Sequence, residues 1–313
     1  MSKEKKINIR SLRELLLVGV VIVLCVVWTI LNPQFMSFNN ISNILRQGSY
    51  IAIAAVGMTL VIIIGEIDLS AGSLVCASGL VGAYVCKSTN GLILAVIAAI
   101  AVGVLVGLMN GVLCAIGKLP GFIASLASMT VLRGLAYIVT GGNSVVWGND
   151  NFTKIGTGYL GAIPIPVIIM VVVIIFGVVL TTKTRFGRYV YAVGGNMESS
   201  RWSGIAVEKV KIIVYIIMGV LTSIAGLIIT TRLGSGQPSA GLNFEMDCIT
   251  AAVVGGTSMS GGRGKIMGTI VGVLLLTVLT NGMTLVGMNT YWQQVLKGII
   301  IVVSVLADTK SKK

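Results

Sequence analysis

The sequence contains no histidine, and its five cysteines include no Cys-x-x-Cys pair. Without an imidazole the chain lacks the side chain that most often serves as general base or metal ligand near neutral pH. A serine nucleophile would therefore need a lysine or a carboxylate as its base. Cys25, Cys76, Cys86, Cys114 and Cys248 lie singly in or at the ends of apolar segments. Zinc ligation and a disulfide framework are not expected of them; small apolar packing residues are.

Charge is also scarce. Only 11% of the 313 residues are charged, and 55% are hydrophobic, whereas soluble domains carry about 25% charged residues. Such a chain cannot hide its apolar surface in one water-facing globule, so an all-α polytopic membrane protein is expected. The 40 glycines suit helices packed closely through small residues. The net charge of +13 does not point to nucleic acid, because the basic residues sit in short loops and at the ends of apolar segments. The basic start "MSKEKKINIRSLRE" runs into an apolar segment without a small-residue cleavage site, which predicts an uncleaved first membrane helix.

A spanning helix needs roughly 20 mainly apolar residues. Ten segments qualify: 12–31, 41–64, 70–86, 92–117, 120–140, 164–182, 212–232, 244–258, 266–284 and 291–307. Segment 244–258 is the weakest of the ten: it is short and begins beside Glu245 and Asp247, and a full span, a tilted one and a re-entrant segment are all open to it. With the N-terminus inside, the inner loops hold Lys3, Lys5, Lys6, Arg10, Arg13, Lys118, Lys183, Arg185, Arg188, Arg201, Lys209, Lys211, Arg263, Lys265, Lys310, Lys312 and Lys313. The outer boundaries hold only Arg46, Lys87, Lys154 and Arg232. This asymmetry predicts that both termini are cytoplasmic. Ten helices also permit a five-plus-five inverted repeat. "LMNGVLCAIGKLPGF" (108–122) and "LTNGMTLVGMNTYW" (279–292) share an Asn-Gly step and a later Gly.

Two connections are long, an outer one at 141–163 and an inner one at 183–211. In the inner one, Asn196 is placed to cap a short helix near 197–203. Two glycine patterns mislead. Gly156, Gly158 and Gly161 spell G-x-G-x-x-G, but no strand–helix context surrounds them. "SGGRGKI" (260–266) has Met259 where a phosphate loop needs glycine, and Ile266 where it needs Ser or Thr. No resident cofactor and no ATPase site of its own are expected.

The stretch "GEIDLSAGS" (65–73) carries two acids at the predicted inner end of the second helix. Proton coupling would place acids near the bilayer midplane. Here Asp68 and Ser70 are read as structural caps of the next helix, and Glu66 as solvated or facing a cytoplasmic partner. Arg133 lies within a segment and needs relief, from Glu245, Asp247 or helix-end carbonyls. Lys297 can snorkel toward the outer surface.

"GEIDLSAGSL", "RFGRYVYAVGGNMESSRWSGIAVEKVKIIVY" (185–215), "QPSAGLNFEMDCITAAVVGGTSMSGGRGKIMGTIVG" (237–272) and "YWQQVLKGIIIVVSVLAD" (291–308) resemble, in order and through nearly all of the chain, bacterial permeases of the ribose-type sugar ABC importers. One departure stands out: the usual second Gly of the G-G-I-D-L-S element is Glu66 here. The resemblance implies one transmembrane permease domain over 1–313. It implies a dimer with a second copy or a close paralogue around a central path. Cytoplasmic ATPase subunits would hold ATP and magnesium, and an extracytoplasmic sugar-binding protein would deliver the substrate. Ribose is the first expectation, then allose, xylose or galactose. The ATPase contact is assigned to Gly195, Asn196, Glu198, Ser200, Arg201 and Gly204. Sugars need hydrogen-bonding groups among apolar walls, so path candidates are Asn110, Ser125, Ser128, Thr130, Asn281, Gln293 and Gln294. The competing reading is a self-sufficient secondary transporter or channel for a small polar solute.

Overall fold

The computed structural model describes residues 9–310. The basic stretch 1–8, Lys312 and Lys313, which contribute to the expected sidedness, lie outside the described residues. Helix α1 (Ile9–Leu31) leads through a 3-10 turn at Pro33–Met36 into α2 (Phe38–Ile63). A connector, residues 64–70, precedes α3 (Ala71–Thr89); α4 (Leu92–Ala115) and α5 (Gly121–Thr140) follow. The outer loop expected at 141–163 contains α6 (Asp150–Thr157) and a small hairpin. Its strands, β1 (Tyr159–Leu160) and β2 (Ile163–Pro164), pair antiparallel with Tyr159 opposite Pro164.

Next come α7 (Ile165–Lys183), α8 (Arg185–Gly195), α9 (Met197–Trp202) and α10 (Val207–Leu233). The inner connection expected at 183–211 is thus almost wholly helical. An irregular strap, 234–243, leads to α11 (Phe244–Val254), and α12 (Ile266–Leu285) and α13 (Thr290–Lys310) close the chain. Capping is local and follows side-chain chemistry. The Ser37, Asn149, Thr184 and Asn196 side chains accept from backbone N–H groups of the helices they open. Asn90, Gly141 and Gly234 end α3, α5 and α10 in the left-handed conformation.

Among the described residues, seven helices are long and apolar enough to cross a membrane: α2, α3, α4, α5, α7, α10 and α12. The expected ten spans also counted α1, α11 and α13. Segment 244–258 is the one that shrinks most. α11 has 11 residues, about 16 Å at 1.5 Å per residue, against a hydrocarbon core of about 30 Å.

Helix α2 is the central post, with every residue from Ile51 to Ile63 buried, and it packs on α7, α10, α11 and α12. Beside it, α4 and α10 approach at backbone distance. A Cβ on Gly107 would overlap the Tyr215 carbonyl, and one on Gly111 would lie 2.9 Å from Ile212 Cα. Gly103 meets Gly219 in the same way. Glycine at every fourth position lets two helices touch along one stripe.

Candidate functional site

The two acids of the connector are both occupied. Lys211 Nζ of α10 donates to Glu66 Oε1 at 2.6 Å, and the first backbone N–H of α5, from Gly121, donates to Glu66 Oε2 at 2.8 Å. The side chains are 8% (Lys211) and 15% (Glu66) exposed. Glu66 is therefore neither solvated nor free to face a partner, contrary to expectation. Its backbone leaves α2 through Gly65, at φ +83°, a conformation glycine adopts without strain.

Asp68 is buried, and its Oδ1 accepts from Ser70 N at 2.8 Å and from the Ser70 hydroxyl at 2.6 Å. Burial pushes the Asp68 carboxyl up, against the pull of these two hydrogen bonds. Ser70 occupies the N-cap position of α3 but makes no side-chain capping bond. That corrects the capping role assigned to Asp68 and Ser70: Asp68 takes the donors itself, because the connector folds back on its own backbone. The Ser70 hydroxyl in turn accepts from Asn110 Nδ2 of α4 at 3.1 Å, and Asn110 Oδ1 accepts from Ser128 of α5. Ser125 Oγ accepts from Leu69 N at 2.9 Å and donates to the Gly121 carbonyl at 2.7 Å. Connector, α4 and α5 are thus joined by one buried polar chain.

Three of the seven expected path residues, Asn110, Ser125 and Ser128, belong to this chain. The other four do not join it. Asn281 and Asn40 exchange two amide hydrogen bonds of 2.9 Å, and Asn40 also donates to the Phe35 carbonyl. Asn40 lies in the first turn of α2 and the connector follows its last, so the two polar clusters are roughly 36 Å apart along that helix. Gln293 donates to Thr284 at 3.1 Å, and Gln294 and Thr130 are exposed. The seven residues do not form a single site within this chain.

Arg133 donates to the carbonyls of Pro238 and Ala240, at 2.6 and 2.8 Å. Of the partners expected for it, Glu245 and Asp247 are not used; carbonyls are, though they come from the strap and not from a helix end. Asp247 instead pairs with Lys297 at 2.7 Å and ties α11 to α13, a partner not expected for Lys297. The strap runs down α3. Gly236 lies against Leu80 and Ala83 and pairs with Val145, and Gly241 lies against Gly72. Buried Glu245 fills the space beside Gly72, where a Cβ would overlap its carboxylate.

At the α8–α9 corner, Asn196 caps α9 by accepting from Ser199 N at 2.8 Å, as expected for the short helix. Ser200 is buried and donates to the Asn196 carbonyl; Gly195 and Glu198 are exposed. Gly204 ends the turn at φ +80°. Arg201 pairs with Glu208 of α10, both half-exposed. The end of α8 rests on the end of α2: a Cβ on Gly194 would overlap the Ile63 carbonyl, which accepts from Gly262 N at 2.8 Å. The phosphate-loop look-alike at 260–266 is therefore packing against this corner. Trp202 is 91% exposed on α9. Sequence reading missed it, although an indole between Arg201 and Ser203 in a polar connection is a signal for a binding hot spot.

Residues 40–305 match the family model described as the branched-chain amino acid transport system permease component. The chain is 44% identical over 291 residues to the ribose import permease protein of Haemophilus influenzae, covering 92% of this chain and 90% of the relative. It is 44% identical over 300 residues to the corresponding ribose import permease of Escherichia coli K12, covering 95% and 93%. It is 36% identical to the xylose transport system permease protein of Haemophilus influenzae over the full length of both. No solved structure matches the chain.

Proposed function

This chain belongs to the permease components of that transport family, and among them to the ribose-type ABC permeases of bacterial cytoplasmic membranes. On that premise we propose that it carries a monosaccharide, ribose first, across the membrane as the transport subunit of a complete importer. ATP hydrolysis on a separate ATPase subunit drives the cycle, and an extracytoplasmic binding protein delivers the sugar. The observation that carries this reading is the near full-length identity of 44% to ribose import permeases, against 36% to a xylose permease. Allose, xylose and galactose are the alternatives.

The charge asymmetry supports an inner position for both termini and for the α8–α9 corner. There the exposed Glu198, Arg201 and Trp202 form the face offered to the ATPase, with Asn196, Ser200 and Gly204 shaping it and Gly195 leading into it. Two copies, or one copy and a paralogue, enclose the path. Each contributes the outward face of α5, where Thr130 is the polar residue of the expected set. Purifying the binding protein encoded beside this permease and identifying the sugar it retains tests the substrate. Reconstitution of all three components in vesicles tests the drive. Ribose uptake that requires ATP inside the ATPase-facing compartment is the expected result; uptake unaffected by ATP removal overturns the importer reading.

A further inference from the structure

One carboxylate holds two helices with different freedoms. Glu66 Oε1 binds Lys211 of α10, and Glu66 Oε2 binds the N-terminus of α5 through Gly121 N–H. Lys211 stands three residues after Glu208, on the same face of α10, and Glu208 is the partner of Arg201 on α9. Polar contacts therefore join α9 to α10 at Arg201–Glu208 and, one turn further along α10, join α10 through the connector to the first residue of α5 at Lys211–Glu66–Gly121. Gly121 is required at that junction, since a Cβ there would run into the Tyr215 hydroxyl and the Glu66 carboxylate.

The two ends of this chain differ in support. α10 is seated against α4 by the glycine stripe, whereas α5 packs only on α3 and α4 among its main neighbours. Phe122, Leu126, Val131, Leu135 and Ile138 of α5 face outward. An ion pair this buried repays little more than its own desolvation, and an apolar pair of the same volume commonly stabilises as well or better. Stability alone does not account for charges at this position.

We propose that Glu66 is a positioning residue that makes α5 follow α10: when the ATPase displaces α9 and the start of α10, the Lys211–Glu66–Gly121 link pulls the inner end of α5 with it and opens or closes the path. The inference rests on the importer reading, because it takes α9 as the ATPase contact.

The test uses the complete importer, permease with its ATPase and binding protein, in vesicles. The readouts are folded permease per vesicle and sugar moved per ATP hydrolysed. Lys211→Met strands a buried carboxylate and lowers the folded amount. The neutral pair Glu66→Gln with Lys211→Met restores the folded amount. Sugar moved per ATP nevertheless falls about tenfold in that pair, the size of a usual coupling between sites. Glu66→Asp serves where the pair folds poorly: it keeps the charge but is one methylene short of holding both partners, and it too lowers the ratio. A neutral pair, or a folded Glu66→Asp variant, with the unaltered ratio overturns the proposal and leaves the link a structural one. An unaltered complex that hydrolyses ATP without moving sugar overturns the importer reading, and the link with it.

Discussion

Helices α2 and α5 are both apolar and both long enough to span, yet α2 is buried along its final thirteen residues and α5 shows most of its surface. Their apolar content does not separate them. The residue size on the buried side does. α5 buries Gly121, Ala124, Ser125, Ser128, Ala136 and Thr140, all small, and turns Phe122, Leu126, Val131, Leu135 and Ile138 outward. α2 buries small residues as well, among them Ala52, Ala54, Ala55 and Gly57, but adds Ile, Leu, Met and Val on its other sides. In a bilayer the outer surface is as apolar as the core, so packing and interhelical hydrogen bonds, not exclusion from water, decide which face turns inward. A helix whose inward face is small and whose outward face is large is one edge of the bundle, open to lipid or to a second copy.

The contrast has a direct test in paired glycines. A Cβ on Gly57 of α2 would lie 2.8 Å from the Met218 sulfur and 3.0 Å from its Cα, whereas one on Gly134 of α5 meets nothing within 4 Å. Gly57→Leu should cost about 3 kcal/mol by overpacking, read as a large loss of folded protein in detergent melts. Gly134→Leu should leave the melt of the isolated chain unchanged. If Gly134→Leu instead disrupts only the dimeric form, the outward face of α5 is covered by a second copy.

A smaller effect is expected on the inward edge of α5. Ser128→Ala removes the donor to Asn110 Oδ1 and should cost about 1–2 kcal/mol by leaving a buried acceptor without a partner. Thr130→Val, two residues on and exposed, should change stability by less than about 0.5 kcal/mol. Its uptake assay sharpens the comparison: a selective loss of sugar transport at unchanged folded amount marks that face as path-lining. The smallest effect on the fold is expected from Trp202→Ala, again within about 0.5 kcal/mol in the melt. Its signature is a weaker pull-down of the ATPase; full retention of ATPase binding would remove the indole from the contact.

The helices were legible because lipid forces nearly every backbone polar group into a local ladder. Segments 120–140 and 266–284 agree with Gly121–Thr140 and Ile266–Leu285 to within a residue or two. The Asn196 cap was legible for the same reason, since it involves only three following residues. What stayed hidden is long-range or lacks an apolar period. α10 begins at Val207 and not near 212; Glu208 and Lys211 read as loop charges until Arg201 pairs with the first and Glu66, 145 residues from Lys211, with the second. Likewise Asn110 and Asn281 announce themselves as polar residues in apolar helices. Nothing local reveals that one bonds Ser70 and the other Asn40.

The glycine stripe joining α4 to α10 bears on temperature. Gly103, Gly107 and Gly111 have no side chain to immobilise, so the α4 side of their contact with α10 freezes no rotamers. Within lipid the contact also releases little water, and its strength comes from close atomic attraction along touching backbones. Hydrophobic burial weakens as water cools, but this seam does not draw on it. The α4–α10 pair should therefore hold as one rigid body in a cold membrane as firmly as in a warm one, and any loss of transport on cooling must arise at another joint of the molecule.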